Sequence, residues 1–438
     1  MFAYHLRLAF KSLMASRVLS LLMILAIAVG IGVSMTTLTI YYLMSSNPMG
    51  PKGEQVYAVQ LDGWNPQQPY NDEKEWLPPY ELTYRDAAAL RESNIPARQA
   101  AMFKSAFVLQ PEREDVNPFL SVGRATDTGF FTMFDVPFVF GGPWDQAVDA
   151  GAEQVVILSR AINDKIFGGE NSVGRTLVMN ERQFRVVGVM DEWNPTPKFY
   201  DPNNGAYDDA EDIYVPFSLV RPLQLDSNGN TNCWKAEKLD SFDAFMNSEC
   251  VWIQYWAELP DVASRERYQA FLDDYVREQK KLGRFERPLN NRLTNVDDWL
   301  DVREVVRDDN RVLVGLSFMF LAVCVFNTVG LLLSKFMGKA AQISIRRALG
   351  ASRGELFRQH LVEVSVIGVL GGVLGLLLSY LGLLGVRALY DGAERTTYLD
   401  LTMVLTGIGL ALAASVVAGI YPTWRASNLE PAPLLRAQ

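Results

Sequence analysis

Four runs without a single charged side chain interrupt the polar pattern of this chain, at residues 18–51, 312–334, 364–386 and 401–424. Each is dense in Leu, Val, Ile, Ala, Gly and Met, and each exceeds the ~20 residues that a helix rising 1.5 Å per residue needs to cross a bilayer core. Buried helices of soluble proteins rarely carry so long an uncharged run. The pattern therefore predicts four membrane spans, at about 18–46, 311–334, 364–386 and 401–424. Ahead of the first, residues 1–17 place Phe2, Leu6, Phe10 and Leu13 at helical spacing with Arg7 and Lys11 off the stripe. This is the pattern of an amphipathic helix lying at a membrane surface. The residues after the first span, SSNPMGP, hold no A-x-A cleavage pattern, so that span reads as a retained anchor rather than a signal peptide.

Between the first two spans lies a polar block, 47–310, too long for a loop and long enough for one large or two small domains. Alternating or β-rich runs at 54–61, 119–125, 154–158, 176–180, 183–190 and 212–217 predict strands. Helical patterns fall at about 81–93, 159–167, 264–283 and 296–310, the last expected to run unbroken to residue 334. The stretch 193–232 is heavy in Pro, Asn, Asp and Gly and reads as an irregular insertion or mobile loop. The predicted fold class is thus an α-helical membrane domain of four transmembrane helices. A large α+β domain is inserted between the first and second of them.

Charge sharpens this division. Residues 47–310 carry 27 Lys+Arg against 44 Asp+Glu, while the rest of the chain is net basic. Arg7, Lys11 and Arg17 precede the first span; Lys335, Lys339, Arg346, Arg347, Arg353 and Arg358 lie in 335–363; Arg425 and Arg436 lie in the tail, 425–438. Four spans put these three segments on one side, which the positive-inside rule makes the cytoplasm. The acidic block and the short loop 387–400 are then external. The expected location is a bacterial inner membrane, with both termini cytoplasmic and the large domain periplasmic.

The chemistry of the common enzyme classes is missing. There is no H-E-x-x-H, no G-x-S-x-G and no Cys–His pair on one side of the membrane. The string GENSVGRT, 169–176, has the spacing of a phosphate loop but carries Arg175 where the phosphate-binding Lys is required, and it reads as a turn between helix and strand. The spans lack the intramembrane carboxylates and histidines of ion-coupled transporters. No metal, cofactor or nucleic-acid site is read. Cys324 sits in the second span as a packing residue. Cys233 and Cys250, 17 positions apart in the external block, are expected to pair in an oxidising compartment, with two free thiols as the alternative.

The segment after the second span reads KAAQISIRRALGASRGELFRQHLVE, 339–363. It predicts a short helix closed by Gly350, then a second helix opened by a Ser352–Glu355 capping box. Such a helix, held at a membrane face, suits a groove on a soluble partner; its arginines suit lipid phosphates equally. ISIRRALGASRGELFRQHLVE resembles the signature of the MacB/FtsX superfamily of ABC-transporter permeases, which commonly runs E-I-G-I-R-R-A-L-G-A and contacts the ATPase. The tail GIYPTWRASNLEPAPLLR, 419–436, resembles the ending of that family. The external strings 124–141 and 155–191 resemble the periplasmic core domain of its MacB-like members.

The resemblance implies a permease subunit that is not itself an enzyme. It lacks Walker and signature motifs and is expected to borrow a cytoplasmic ABC ATPase. It implies a dimer with a second permease subunit, identical or paralogous, and contact with membrane lipids. It also implies ATP-driven reshaping of the external domain, known as mechanotransmission. Export with a periplasmic adaptor and an outer-membrane channel is the expected use; a non-transporting signal transducer is the alternative. Carried over residue by residue, the coupling site falls on Gln342, Ile343, Ile345, Arg346, Arg347, Leu349, Gly350 and Arg353. Gln342 departs from the family's acidic residue, and 193–250 has no clear family counterpart.

Overall fold

The structure is a computed structural model that describes residues 2–111, 115–306, 308–389 and 400–428. It divides into two compact units, residues 1–45 with 306–438, and residues 46–305.

The first unit is helical: α1 (Phe2–Ala15), α2 (Arg17–Ser45), α3 (Asp308–Met337), α4 (Ala340–Ala348), α5 (Arg353–Leu389) and α6 (Leu401–Ser427). Of these, α2, α3, α5 and α6 are long and apolar enough to cross a membrane. Lipid supplies no hydrophobic drive between such helices, so close approach through small residues holds them together. Gly375 of α5 shows why: a Cβ there would lie 2.8 Å from the Ile31 side chain and 3.0 Å from the Ala28 carbonyl of α2. Hydroxyls add cross-links, Thr37 Oγ1 donating to Ser317 Oγ at 2.8 Å and Ser34 Oγ to the Ser317 carbonyl at 3.0 Å. Cys324 is buried in the same packing, beside Gly30.

Two expectations need correction here. The apolar stripe of α1 is not one face. Ala9 and Leu13 are buried in the bundle with Leu6 against them, while Phe10 and Met14 are exposed on the other side. The helix thus grips the bundle with Ala9 and Leu13 and leaves Phe10 and Met14 outward. Nor does one helix run from 296 to 334. A helix Val296–Val302 ends at Arg303, Glu304 takes a left-handed φ of 51°, and α3 starts at Asp308. The expected loop 387–400 and tail 425–438 fall mostly outside the described residues.

The second unit is built on a ten-stranded mixed sheet. Its strands are β1 (Val56–Gln60), β2 (Arg98–Gln110), β3 (Phe119–Thr126), β4 (Phe138–Gly141), β5 (Val155–Leu158), β6 (Thr176–Met179), β7 (Arg182–Met190), β8 (Ile213–Pro216), β9 (Gln254–Glu258) and β10 (Arg292–Asn295). The order is β10-β1-β9-β2-β3-β8-β5-β7-β4, with β6 paired to β2 and β7. β3–β8 and β5–β7 are parallel pairs; the other pairings are antiparallel.

Alternation along each strand feeds two cores. Val156 and Leu158 of β5, Phe103 of β2 and Tyr255 of β9 enter one, with Trp252 and Tyr268. Val155, Ile157, Met102 and Trp256 enter the other, with Phe130, Phe134 and Trp299. A sheet covered on both faces explains why VVIL, 155–158, is apolar throughout rather than alternating. Residues 193–232 are not loose: the irregular backbone up to 212 leads into β8 and a short helix at Val220–Leu223, and Phe199, Tyr200, Tyr214 and Phe217 are fully buried. The GENSVGRT string is a turn, with Gly169 and Gly174, and Gly168 just before it, at positive φ and Arg175 lying 4.5 Å over the Phe167 ring.

Burial sets a pH dependence. Glu81 accepts hydrogen bonds from Asn203 at 2.7 Å and Gln254 at 2.6 Å, yet burial outweighs them and raises its pKa to about 7. Burial, with Asp127 nearby, also pushes Asp149 up. Between the unfolded value near 4.5 and about 7, native Glu81 holds a proton that the unfolded chain does not, so stability rises as pH falls through that window. The gain from Glu81 is on the order of 2–3 kcal/mol. Thermal midpoints of the detergent-purified chain are expected to climb from pH 8 to pH 5, and Glu81→Gln to flatten that slope. A slope unchanged in Glu81→Gln would remove Glu81 as its source.

Candidate functional site

The short helix α4 follows α3 with only Gly338 and Lys339 between them, and it ends at Leu349 and Gly350 (φ 100°), a conformation suited to glycine. Ser352 then caps α5. Its Oγ accepts from the Glu355 N–H at 3.2 Å, and its own N–H donates to Glu355 Oε2 at 3.1 Å. Both halves of the capping box are present, so a sharp corner is built from local chemistry.

This corner sorts the sequence-derived site residues into two groups. Ile343 is buried, with Ala340 and Ser344, and packs in the bundle core with Leu356 and Phe336. It anchors α4 and is not available to a partner. Gln342, Ile345, Arg346, Leu349, Gly350 and Arg353 are exposed, and Arg347 is half-buried. Ile345 and Leu349, 50% and 82% exposed, stand four residues apart and so share one face. Exposed branched residues flanked by Arg346 and Arg353 make a small apolar knob in a basic collar.

Beneath α4 lies a cluster that sequence reasoning treated only as span boundaries. Lys335 Nζ pairs with Glu363 Oε1 at 2.7 Å, with side chains 0% and 2% exposed. Ser12 Oγ of α1 donates to the same carboxylate oxygen at 2.6 Å, and Lys339 Nζ donates to Ser12 Oγ at 2.7 Å. Lys335 also donates to Ser20 Oγ of α2 at 3.0 Å. His360 lies with its ring 4.4 Å from that of Phe336. Four helices, α1, α2, α3 and α5, are thus tied at one point beside α4. The only signal in the sequence was that Lys335 and Glu363 each terminate an apolar run.

Residues 20–274 match the MacB-like periplasmic core domain, and residues 314–431 match the FtsX-like permease C-terminal domain. The chain is an ABC-transporter permease of the MacB/FtsX family. The MacB-like match takes in most of the external unit, and the FtsX-like match takes in α4 and its corner. An uncharacterized ABC transporter permease of Bacillus subtilis, YvrN, is 22% identical over 99% of both chains. The macrolide export ATP-binding/permease protein MacB of Wolinella succinogenes is 22% identical over 72% of this chain. This permease spans 43% of the length of that protein. The periplasmic region of MacB from Actinobacillus actinomycetemcomitans aligns with 57% of this chain and 94% of its own, at a TM-score of 0.37 and 16% identity.

The remaining predicted site is in the external unit, where Cys233 and Cys250 form a disulfide. Cys250 is buried and leads into Trp252 of the core, so the bridge fastens the 224–250 stretch to the sheet.

Proposed function

We propose that this permease couples ATP hydrolysis by a separate cytoplasmic ABC ATPase to rearrangement of its external domain. The observation that carries the reading is the exposed Ile345–Leu349 face of α4, rooted by buried Ile343 into the helix bundle. A groove on the ATPase accepts that apolar knob, and the arginines around it meet acidic groups at its rim. The basic bundle end is cytoplasmic in this reading. Motion of α4 passes into α2, α3 and α5 through the Lys335–Glu363–Ser12 cluster. The external unit is inserted in the chain between α2 and α3, so it inherits any displacement of those helices. The work is mechanical, performed as one of a pair of permease subunits, and its use is export through a periplasmic adaptor and an outer-membrane channel.

The test is direct. Leu349→Glu with Ile345→Glu places two charges where desolvated apolar contacts are required, and is expected to abolish co-purification of the ATPase. Arg346→Glu with Arg347→Glu acts at the rim and is expected to weaken it by less, because exposed pairs contribute far less than buried ones. Membrane insertion and thermal midpoint should stay at wild-type values in both. ATPase binding retained by the Ile345/Leu349 variant would take α4 out of the mechanism.

A further inference from the structure

A cavity of about 220 Å³ opens beside α4, walled by α1, α4 and the start of α5. Its lining includes Lys11, Ser12, Lys339, Arg346, Gln359 and His360. Three of these are cations. Among the described residues the one acid in the lining, Glu363, has its charge matched by the buried ammonium of Lys335. The cavity is therefore net positive. Two of its cations are already oriented, Lys339 by Ser12 and Arg346 by Gln359 at 3.1 Å.

The second observation is His360. It is 5% exposed, and among the described residues neither ring nitrogen has a hydrogen-bond partner. Nδ1 stands 3.6 Å from Glu363 Oε2, beyond hydrogen-bonding distance. With Nδ1 facing Glu363 at ion-pair distance, Nε2 is the ring nitrogen left to donate to a ligand. At ~30 Å³ per water the cavity has room for a tetrahedral phosphate with ordered water around it.

We propose that this cavity binds a phosphate group, held by Lys11, Lys339 and Arg346 with an N–H from His360. Seated there, the anion bridges α1 to α4 and fixes the angle at which α4 presents Ile345 and Leu349. Two sources share the chemistry: the headgroup of an anionic phospholipid, which the exposed Phe10 and Met14 of α1 would meet at a membrane surface, and free phosphate in solution. The proposal needs no ATPase, so it stands or falls separately from the coupling reading.

The experiment uses the full chain purified in detergent. Thermal midpoints and native mass spectra are recorded with phosphatidylglycerol, with phosphatidylcholine, and with inorganic phosphate against chloride at matched ionic strength. Retention of phosphatidylglycerol over phosphatidylcholine, with no effect of phosphate, assigns the site to lipid. A shift with inorganic phosphate assigns it to the soluble anion. Lys11→Gln, an exposed change with little bearing on folding, is expected to weaken binding about five-fold, the worth of one basic residue near an anionic surface. His360→Phe keeps the ring against Phe336 and removes the donor, and should weaken it further. No preference for either anion, or wild-type binding by Lys11→Gln, overturns the proposal.

Discussion

Replacing Arg124 with Met is expected to destabilise the external unit by about 3–5 kcal/mol, the usual consequence of stripping one partner from a buried ion pair. Arg124 stands on β3 with no exposed surface. Its Nη2 reaches Asp201 Oδ2 at 2.5 Å and Glu211 Oε1 at 2.7 Å, and Nη1 donates to Gln254 Oε1 at 3.0 Å. The guanidinium also lies 4.9 Å from the centre of the Tyr200 ring. Lys198 contributes the second cation, 2.7 Å from Glu211, so two positive and two negative charges balance inside the fold. Burial pushes Glu211 up, but Arg124 and then Lys198 more than reverse this and hold it below the usual carboxylate range. Met fills the volume and removes the charge, leaving two carboxylates with one lysine.

The sign of the pH response separates this account from a simple packing defect. Freed carboxylates are stabilised by protonation, so Arg124→Met should lose more stability at pH 8 than at pH 5. Arg124→Lys keeps the charge without the planar fork and should fall between wild type and Met. The check is the thermal midpoint of the full chain, followed by tryptophan fluorescence, with Trp256 and Trp299 reporting from the neighbouring core. A loss below about 1 kcal/mol, or one independent of pH, would mean that the cluster is held by the surrounding aromatic packing instead.

Arg124 also marks where sequence reading ran out. The four spans were legible because the absence of charge over a membrane-length helix is a strong, one-dimensional signal. Strands such as β5 and β7 were legible because their residues are β-branched. The longest strand, β2, was missed: the first half of its RQAAMFKSAFVLQ does not alternate, because Ala100, Ala101, Met102 and Phe103 are buried in succession on both faces of the sheet. β4, β9 and β10 were missed as well; β4 and β10 are only four residues long, and β9 sits in the aromatic run VWIQYWA without clean alternation. The 193–232 stretch was misjudged for a related reason. Its Pro, Asn and Asp residues do make irregular backbone, but Phe199, Tyr200 and Glu211 pin that backbone into the core. Composition reports the first and is silent on the second. In the segment after α3, the family signature located α4 but not its orientation. Only tertiary packing shows that Ile343 faces inward while Ile345 and Leu349 face out. Lys335 and Glu363 lie 28 positions apart, and their pairing depends on where α3 and α5 meet.

That pairing supports the second large effect. Glu363→Ala is expected to lower stability by about 3–5 kcal/mol, because Lys335 is left fully buried with, among the described residues, the Ser20 hydroxyl to receive it. It also removes the acceptor for Ser12, and with it the link from α1 to α5. Replacing both partners, Lys335→Met with Glu363→Leu, removes the stranded charge, and apolar substitution of a whole buried pair is frequently neutral or stabilising. The double variant is therefore expected to recover most of the midpoint lost by the single one, measured in the same detergent by thermal unfolding. Stability and coupling then part company. If the pair serves only to hold the helices together, the recovered variant should stimulate its ATPase as wild type does. If it transmits motion from α4, the double variant should fold, bind the ATPase through an intact Ile345–Leu349 face, and fail to drive the external unit. An unchanged midpoint in Glu363→Ala would show that apolar packing around Phe336 and Leu356 alone secures this end of the bundle, and that the ion pair has no part in holding it.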